Sequence, residues 1–156
     1  MSTLFLYNDD ISKIILKFIE NKSDINFKDD NGNTILIWLC YNNNIELALK
    51  FIENKTNLDI QDDGGWTALM WSCYNNNIEL VLKLIENKAN LDLQNKYGMT
   101  ALLWSCHNNN TEIALKLIEN KANIDLQDND GETALIFSCC KNNTEIISYL
   151  LEYLYE

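Results

Sequence analysis

The sequence repeats itself with a period of 33 residues. Glycines occur at this spacing along the chain, and a threonine follows each of them two positions later. The glycines are Gly32, Gly65, Gly98 and Gly131, and the threonines are Thr34, Thr67, Thr100 and Thr133. A period of roughly 20 to 50 residues indicates small supersecondary units, each of which buries its apolar face against the next unit. The period therefore predicts an array of stacked units.

One unit, residues 65–95, is long enough for two short antiparallel helices, with an extended finger between successive units. Thr67 offers a side-chain oxygen to the free amides at the start of the first helix. Asn76 tolerates the left-handed conformation that ends this helix, and Asn77 is placed to cap the second one. Glu79 then lies in the first turn of the second helix, where the helix dipole favours an anion. The run of asparagines therefore predicts a turn between two helices.

The second helix and the arm that follows it also have clear patterns. The apolar face of the helix is made by Leu80, Val81, Leu84 and Ile85. The segment "NLDLQ" alternates apolar and polar residues, and "NKYG" after it is typical of a tight turn. These patterns predict an extended arm and the hairpin of the next unit.

A unit of this length with a Gly-x-Thr-x-Leu start resembles the ankyrin repeat. The matching residues Gly32, Thr34, Leu36, Glu46 and Ile52, with the arm "NLDIQDD", recur in register along the chain. The resemblance covers essentially the whole sequence. It implies an all-α fold, an ankyrin-repeat solenoid of antiparallel helix pairs with short β-hairpin fingers.

Aligning the units predicts one ankyrin-repeat domain over residues 1–156. Its parts are an N-terminal capping partial repeat at 1–28, internal repeats at 29–61, 62–94 and 95–127, and a C-terminal repeat at 128–156. Phe5 occupies the tryptophan position of the first unit, and Phe137 occupies it in the last. Ser148 replaces a leucine of the other units, as suits the exposed end of a solenoid.

Two departures from the ankyrin pattern carry predictions. The family's usual Thr-Pro-Leu-His is here Thr67-Ala68-Leu69-Met70, and its counterparts also lack proline and histidine, so looser hairpins are expected. The family's glycine before the arm is replaced by lysine, each time preceded by asparagine, at Lys22, Lys55, Lys88 and Lys121. A residue other than glycine in left-handed geometry costs about 1 kcal/mol or more. Either the asparagine takes this conformation or the turn differs.

Charge and hydropathy narrow the classes of partner. The chain has 12 lysines and arginines against 23 aspartates and glutamates, a formal charge of -11. Nucleic-acid affinity needs clustered cations, so a nucleic-acid partner is not expected. No leader pattern occurs at Met1, and no apolar run approaches the roughly 20 residues of a membrane span. We expect an intracellular, cytoplasmic protein that does not bind membranes, located in the host cytoplasm if it is a viral or bacterial effector.

The five cysteines follow the repeat and are not grouped into pairs. Cys40, Cys73, Cys106 and Cys139 share the 33-residue spacing, and Cys140 adjoins the last. Units one repeat apart place these residues roughly 8 to 10 Å from each other, whereas a disulfide needs Cα atoms within about 7 Å. We therefore expect free thiols, with no metal site and no cofactor.

A catalytic role is not expected either. Cys106 and the only histidine, His107, are neighbours in a predicted helix, so their side chains point about 100° apart. No third group is evident to orient the imidazole. The chain is expected not to be an enzyme, since an enzyme would require a lowered pKa at Cys106.

Two other recurring residue types are expected to be structural. Trp38, Trp71 and Trp104 recur at a helix position where the family usually has leucine, which predicts core or near-core packing. The recurring aspartates are typical of solvated turns. These are Asp29, Asp30, Asp62, Asp63, Asp128 and Asp130.

Positions that vary between units are those that stacking leaves free. By similarity to ankyrin proteins, a partner is bound by the hairpin tips and the exposed side of the first helix, which line a concave surface. The candidate partner-binding residues on these elements are Trp66, Tyr74, Tyr97, Met99, His107, Tyr41, Asp30, Asp63 and Lys96. The alternative is that Trp66 lies over neighbouring hairpins and the tyrosines cover helix ends.

The sequence therefore predicts a monomeric module that binds another protein with a basic or apolar patch through its concave face, as a competitive inhibitor or a targeting subunit. The alternative is a structural or assembly protein that self-associates through its tyrosine-rich end, "YLLEYLYE". Tyr149, Tyr153, Leu154 and Tyr155 lie in that segment, which an imperfect end cap also explains.

Overall fold

The computed structural model describes residues 24–154, and this part of the chain forms eight helices. They are α1 (Ile35–Tyr41), α2 (Ile45–Glu53), α3 (Ala68–Tyr74), α4 (Ile78–Glu86), α5 (Ala101–His107), α6 (Thr111–Glu119), α7 (Ala134–Cys140) and α8 (Thr144–Leu154). Each odd-numbered helix is joined by a short turn to the even-numbered helix after it, as is typical of antiparallel neighbours. The predicted all-α solenoid of helix pairs is confirmed. The predicted N-terminal cap up to residue 23, including Phe5 and Lys22, lies outside the described residues, as does Tyr155.

The turn between the two helices of a unit forms as the sequence predicts. Thr67 Oγ1 accepts a hydrogen bond from the backbone N–H of Met70 at 3.2 Å. Asn76 has a φ of 55°, and Asn77 Oδ1 accepts from the N–H of Leu80 at 3.0 Å. The asparagine run thus ends one helix and caps the next.

The turn after the second helix differs from both sequence-based alternatives. Lysine itself takes the left-handed conformation, with φ of 57° at Lys55, 67° at Lys88 and 70° at Lys121. The preceding asparagine keeps a negative φ, and Asn87 Nδ2 donates to the carbonyl of Lys83 at 2.9 Å. The asparagine side chain satisfies a carbonyl at the helix end, so the strain falls on the next residue.

The core lies between two rows of helices. The first helices α1, α3, α5 and α7 pack on one another in sequence, and the second helices α2, α4, α6 and α8 form a parallel row behind them. Leu69, Leu80 and Leu84 of the central pair are almost completely buried between the rows. Cys40 and Cys73 are buried in the same core, as small side chains between stacked helices.

The fingers between units are tight turns braced by their own side chains, and residues 24–154 contain no regular β-strand. In the second finger, the Asp62 N–H donates to the Trp66 carbonyl at 3.0 Å. Asp62 Oδ1 accepts from the N–H groups of Gly64 and Trp66 at 2.8 and 2.9 Å. Asp29, Asn95 and Asp128 make the equivalent bonds in the other fingers. These bonds brace each finger in the absence of the family's usual proline and histidine.

Successive fingers are also tied to each other. The N–H of Asp63 donates to the carbonyl of Asn31, and the N–H of Lys96 donates to the carbonyl of Gly64, both at 3.0 Å. Gln61 Nε2 adds a bridge to the carbonyl of Gln94 at 2.9 Å. We call the side made by the fingers and by α1, α3, α5 and α7 the finger face, and the side made by α2, α4, α6 and α8 the outer face. The finger face corresponds to the surface that is expected to be concave from the resemblance to ankyrin repeats.

Candidate protein-binding surface

A continuous row of aromatic rings runs along the finger face. Tyr41 of α1 meets the ring of Trp71 of α3 edge to face, with centroids 4.7 Å apart. Trp66 of the second finger stacks on Trp71 at 4.0 Å and on Trp104 of α5 at 4.7 Å. Tyr74 stands edge-on to Trp66 and to Trp104, at 5.8 and 5.4 Å. Aromatic pairs prefer such offset or edge-to-face arrangements, so the row is a packed structure.

The row continues toward the last unit through His107. Its ring lies 5.6 Å from that of Trp104 and 5.4 Å from that of Phe137, edge to face in both cases. His107 Nδ1 also lies 3.0 Å from Asn108 Oδ1. His107 is half-buried, so it links two rings and leaves part of its imidazole at the surface.

Two of the residues expected to meet a partner are buried, and that expectation is corrected. Trp66 is only 9% exposed because its ring lies between Trp71 and Trp104. Met99 is 4% exposed and belongs to the core cluster. Both are packing residues, and the alternative in which Trp66 covers its neighbours is closer to the structure.

The three candidate tyrosines keep much of their surface. Tyr41 is 55% exposed, Tyr74 46% and Tyr97, at the tip of the third finger, 64%. The charged candidates Asp30, Asp63 and Lys96 are exposed at the finger tips. The exposed candidates are thus the three tyrosines, the two aspartates and the lysine.

One tryptophan is more exposed than the sequence analysis predicted. Trp38 was assigned to the core with Trp71 and Trp104, and those two are half-buried as near-core residues, but Trp38 is 40% exposed. The cause lies in the first finger, where Asn33 occupies the position that Trp66 has in the second. No indole from that finger covers Trp38, and the change from asparagine to tryptophan was the signal that could have revealed it.

The open space beside Trp38 forms a groove of about 360 Å³ between the first two fingers and their helices. We call it the acidic groove, and its lining residues are Asp29, Asn31, Asn33, Trp38, Tyr41, Asp62 and Trp71. Burial alone would raise the pKa of Asp29, but hydrogen bonds from the N–H groups of Asn33 and Asn31 outweigh it and lower the pKa. The groove therefore combines aromatic walls with an ionised carboxylate.

Charge along the finger face is uneven. Residues 29–42 and 62–75 include four aspartates and no lysine or arginine. In the third finger, Lys96 stands where the first two fingers have Asp30 and Asp63. The negative charge of this face thus lies at the first two fingers, which line the acidic groove, and at the fourth, which has Asp128, Asp130 and Glu132.

Three of the thiols have properties opposite to those of a catalytic nucleophile. Cys40, Cys73 and Cys106 are free and buried, and burial raises the pKa of Cys106 to about 11. Cys139 and Cys140 are free and exposed. Within residues 24–154 no cluster of histidine, cysteine or acidic side chains suits a metal ion.

The C-terminal tyrosines pack on the preceding repeat. Tyr149 Oη donates to Glu119 Oε1 at 3.4 Å, and Lys121 Nζ lies 3.2 Å from Tyr153 Oη and 4.8 Å from the centroid of its ring. These contacts are those of an end unit covering its neighbour. No helix within the described range has the length and apolar character that a bilayer crossing requires.

Comparison with known proteins identifies the type of array. A family model described as ankyrin repeats, in three copies, matches residues 4–95 and 73–156. A search of curated proteins found no match. The two matched segments span nearly the whole sequence and contain all eight helices of the described part. The chain belongs to the ankyrin-repeat family, whose repeats generally mediate protein–protein interactions.

Proposed function

We propose that this chain binds another protein through its finger face and acts by covering a surface of that partner. The observation that carries the proposal is the set of exposed aromatic rings on this one face. They are Trp38, Tyr41, Tyr74 and Tyr97. Tryptophan and tyrosine are the residues most often found at the energetic centre of protein interfaces. The amide and carboxylate groups around them suit a polar rim.

The rigidity of the face supports the same function. Asn75 Nδ2 donates to the carbonyls of Cys40 and Tyr41 at 2.9 and 3.0 Å, which ties the ends of α1 and α3 together. The fingers are joined by the backbone bonds described above. A surface that is ordered before binding loses little conformational entropy when it docks, so a few aromatic contacts suffice for affinity.

The charge of the chain favours a partner with a basic or apolar patch. The formal charge is -11, and acidic side chains stand at the tips of the fingers. Complementary charge speeds association and selects partners. A short rigid array that covers such a patch would act as a competitive inhibitor of the partner's other contacts or as a targeting subunit, without catalysis of its own.

We further propose a cytoplasmic monomer, in the host cytoplasm if the chain is a viral or bacterial effector. The five free cysteines are typical of proteins in a reducing compartment. The packing of Tyr149 and Tyr153 on the preceding repeat argues against self-association through that end. Light scattering would detect self-association as a mass above the 18.1 kDa of one chain.

An affinity capture with matched variants tests the proposal. The test variant replaces Tyr74 and Tyr97 with alanine, and the control replaces Leu82 and Leu151 of the outer face, which are 42% and 39% exposed. An aromatic anchor contributes about 2 kcal/mol, so the test variant should bind a captured partner at least about 10-fold more weakly. The control should bind like the native chain.

Circular dichroism first establishes that both variants are folded. Equal loss of the partner from the two variants, or capture by the test variant at native strength, would contradict binding through the finger face. In that case a size above a monomer in light scattering would support the assembly function instead.

A further inference from the structure

We propose that the acidic groove receives an arginine side chain of the partner protein, an assignment that rests on the proposed function. The groove is a pocket within the finger face, and none of the seven residues in the described part of the chain that line it is cationic. Its walls contain three aromatic rings and two carboxylates, and these are the two kinds of group that bind a guanidinium.

The aromatic walls offer a stacking surface. Tyr41 and Trp71 meet at an angle of 81°, so they line the groove from two directions. Trp38 adds a third ring with 40% of its surface open. A cation within about 6 Å of such a ring is attracted to its face, and the flat guanidinium can also stack on it.

The carboxylates are positioned by the fingers and keep unused acceptor capacity. Asp29 Oδ1 accepts from the N–H groups of Asn31 and Asn33 at 2.9 and 2.8 Å, while its Oδ2 accepts only from Asn33 Nδ2 at 3.2 Å. Asp62 Oδ1 is held by two backbone N–H groups, and no hydrogen bond from the described residues reaches its Oδ2. The free lone pairs can accept the N–H donors of a guanidinium, whose planar shape matches a carboxylate.

Two lysines close in sequence to the groove residues, Lys28 and Lys50, bind other groups. Lys28 Nζ donates to the carbonyl of Gln61 at 2.9 Å, and Lys50 pairs with Glu46 on the outer face at 2.8 Å. The groove of the outer face, lined in part by Leu82, differs, because two of its three carboxylates, Glu53 and Glu86, lie 3.6 and 3.5 Å from Lys83 Nζ. Among the described residues the acidic groove thus has two carboxylates and no lining cation, whereas in the outer groove a lysine lies beside two of the carboxylates.

The groove exists because of one residue difference between units. In the second finger, Trp66 covers Trp71 and fills the space toward Trp104. In the first finger, the smaller Asn33 leaves the corresponding space beside Trp38 open. The opening is therefore a property of the first two fingers.

A titration of the full chain with three peptides tests the proposal without a partner. The probes are acetyl-Gly-Arg-Gly-amide and the same peptide with lysine or with citrulline, the neutral isostere of arginine. The observed signals are the indole N–H resonances of Trp38 and Trp71 in two-dimensional NMR spectra. We expect saturable shifts with arginine at a dissociation constant on the order of 1 mM, about fivefold weaker binding with lysine, and none with citrulline.

Asp62→Asn is the test variant, and it keeps the finger intact. Asn95 at the equivalent position of the third finger makes the same bonds to the N–H groups of Tyr97 and Met99, so an asparagine fits. Asp128→Asn in the fourth finger is the matched control. We expect the arginine peptide to bind Asp62→Asn at least about fivefold more weakly and to bind the control as it binds the native chain.

The proposal is overturned if citrulline or lysine binds as well as arginine, if the two variants lose affinity equally, or if only signals outside the groove shift. These outcomes leave the proposed function open, because the capture experiment replaces Tyr74 and Tyr97, which do not line the groove. Conversely, a failed capture would leave the titration result valid as a property of the groove.

Discussion

The finger face and the outer face are built from the same units but use their polar side chains differently. On the outer face the lysines of α2, α4 and α6 all form ion pairs within or between helices, such as Lys116 with Glu119 at 2.8 Å. On the finger face the carboxylates of Asp29 and Asp62 accept backbone N–H bonds and keep their charge unpaired. The outer helices keep more glutamates than lysines, so the two faces differ in the surroundings of their carboxylates: those of the acidic groove stand beside aromatic rings. This difference is the basis for proposing that the fingers and first helices select the partner.

Replacing Trp66 with alanine should have the largest effect on stability. Its buried indole fills the space between two other tryptophans, so its removal should lower the free energy of unfolding by about 3 kcal/mol. Trp38→Ala is the matched control on the same face, and its half-open ring should contribute less than about 1 kcal/mol. Urea denaturation monitored by circular dichroism measures both. Similar losses would show that the two rings do not differ as packing and surface residues.

The second-largest loss of stability is expected where successive fingers approach each other closely. Gly65 has a φ of 80°, and a Cβ at this position would lie 2.8 Å from Asn95 Cα. Gly65→Ala should destabilise the chain by about 2 kcal/mol or more, from left-handed strain and from the clash with the next finger. Gly131→Ala is the control, since it has the same φ and nothing within 4 Å of the added carbon. A loss as large in the control would assign the whole effect to strain.

Because thiols are buried in the core between the two faces, the free energy of unfolding should decrease at alkaline pH. Burial raises the pKa of Cys73 to about 12, from 9.0 for an ordinary thiol. Because the unfolded thiol ionises first, this contribution is complete below pH 9 and is lost as pH rises from about 9 to 12. Between pH 8 and 10, the free energy of unfolding should therefore decrease by about 1.4 kcal/mol less in Cys73→Ala than in the native chain. Parallel pH profiles for the two chains would contradict the buried thiol's role.

The smallest effect concerns the turn that leads from the outer face to the finger arm. Lys88→Gly should stabilise the chain by about 0.5 kcal/mol, since glycine relieves the left-handed strain but adds freedom to the unfolded chain. Lys88→Ala is the control, because it removes the same charge and keeps the strain. Chemical denaturation of both variants measures the difference. If both variants were more stable than the native chain, the removal of the lysine charge would be the cause.

Much of the fold could be predicted from sequence because each unit contains its own local signals. Thr67 and Asn77 cap helices through bonds to residues three positions away, and Asn76 needs only its own backbone preference. The regular spacing of the cysteines likewise predicted their separation, and the structure keeps them free. The left-handed lysines were missed because asparagine was expected to take that conformation, whereas its side chain bonds to the helix end.

The candidate site was predicted less well than the fold. The tyrosines at positions 41, 74 and 97 are exposed as expected, but the burial of Trp66 depends on Trp71 and Trp104, which come from different units. The exposure of Trp38 depends equally on Asn33, a residue of the finger beside it. The variation between units indicated where the candidate binding surface lies. It did not indicate which side chains of that surface are exposed to solvent.

The sequence by itself determined the repeat, the helices and caps of the described units, and the negative charge, because these depend on a period, on bonds within a few residues, and on composition. Only the tertiary structure decided which aromatic rings are packed and which are exposed. Each ring's exposure is set by side chains of the neighbouring finger or the next helix, and these come within contact distance only after the units stack. The acidic groove is the clearest case, since it lies between two units and neither unit contains it alone.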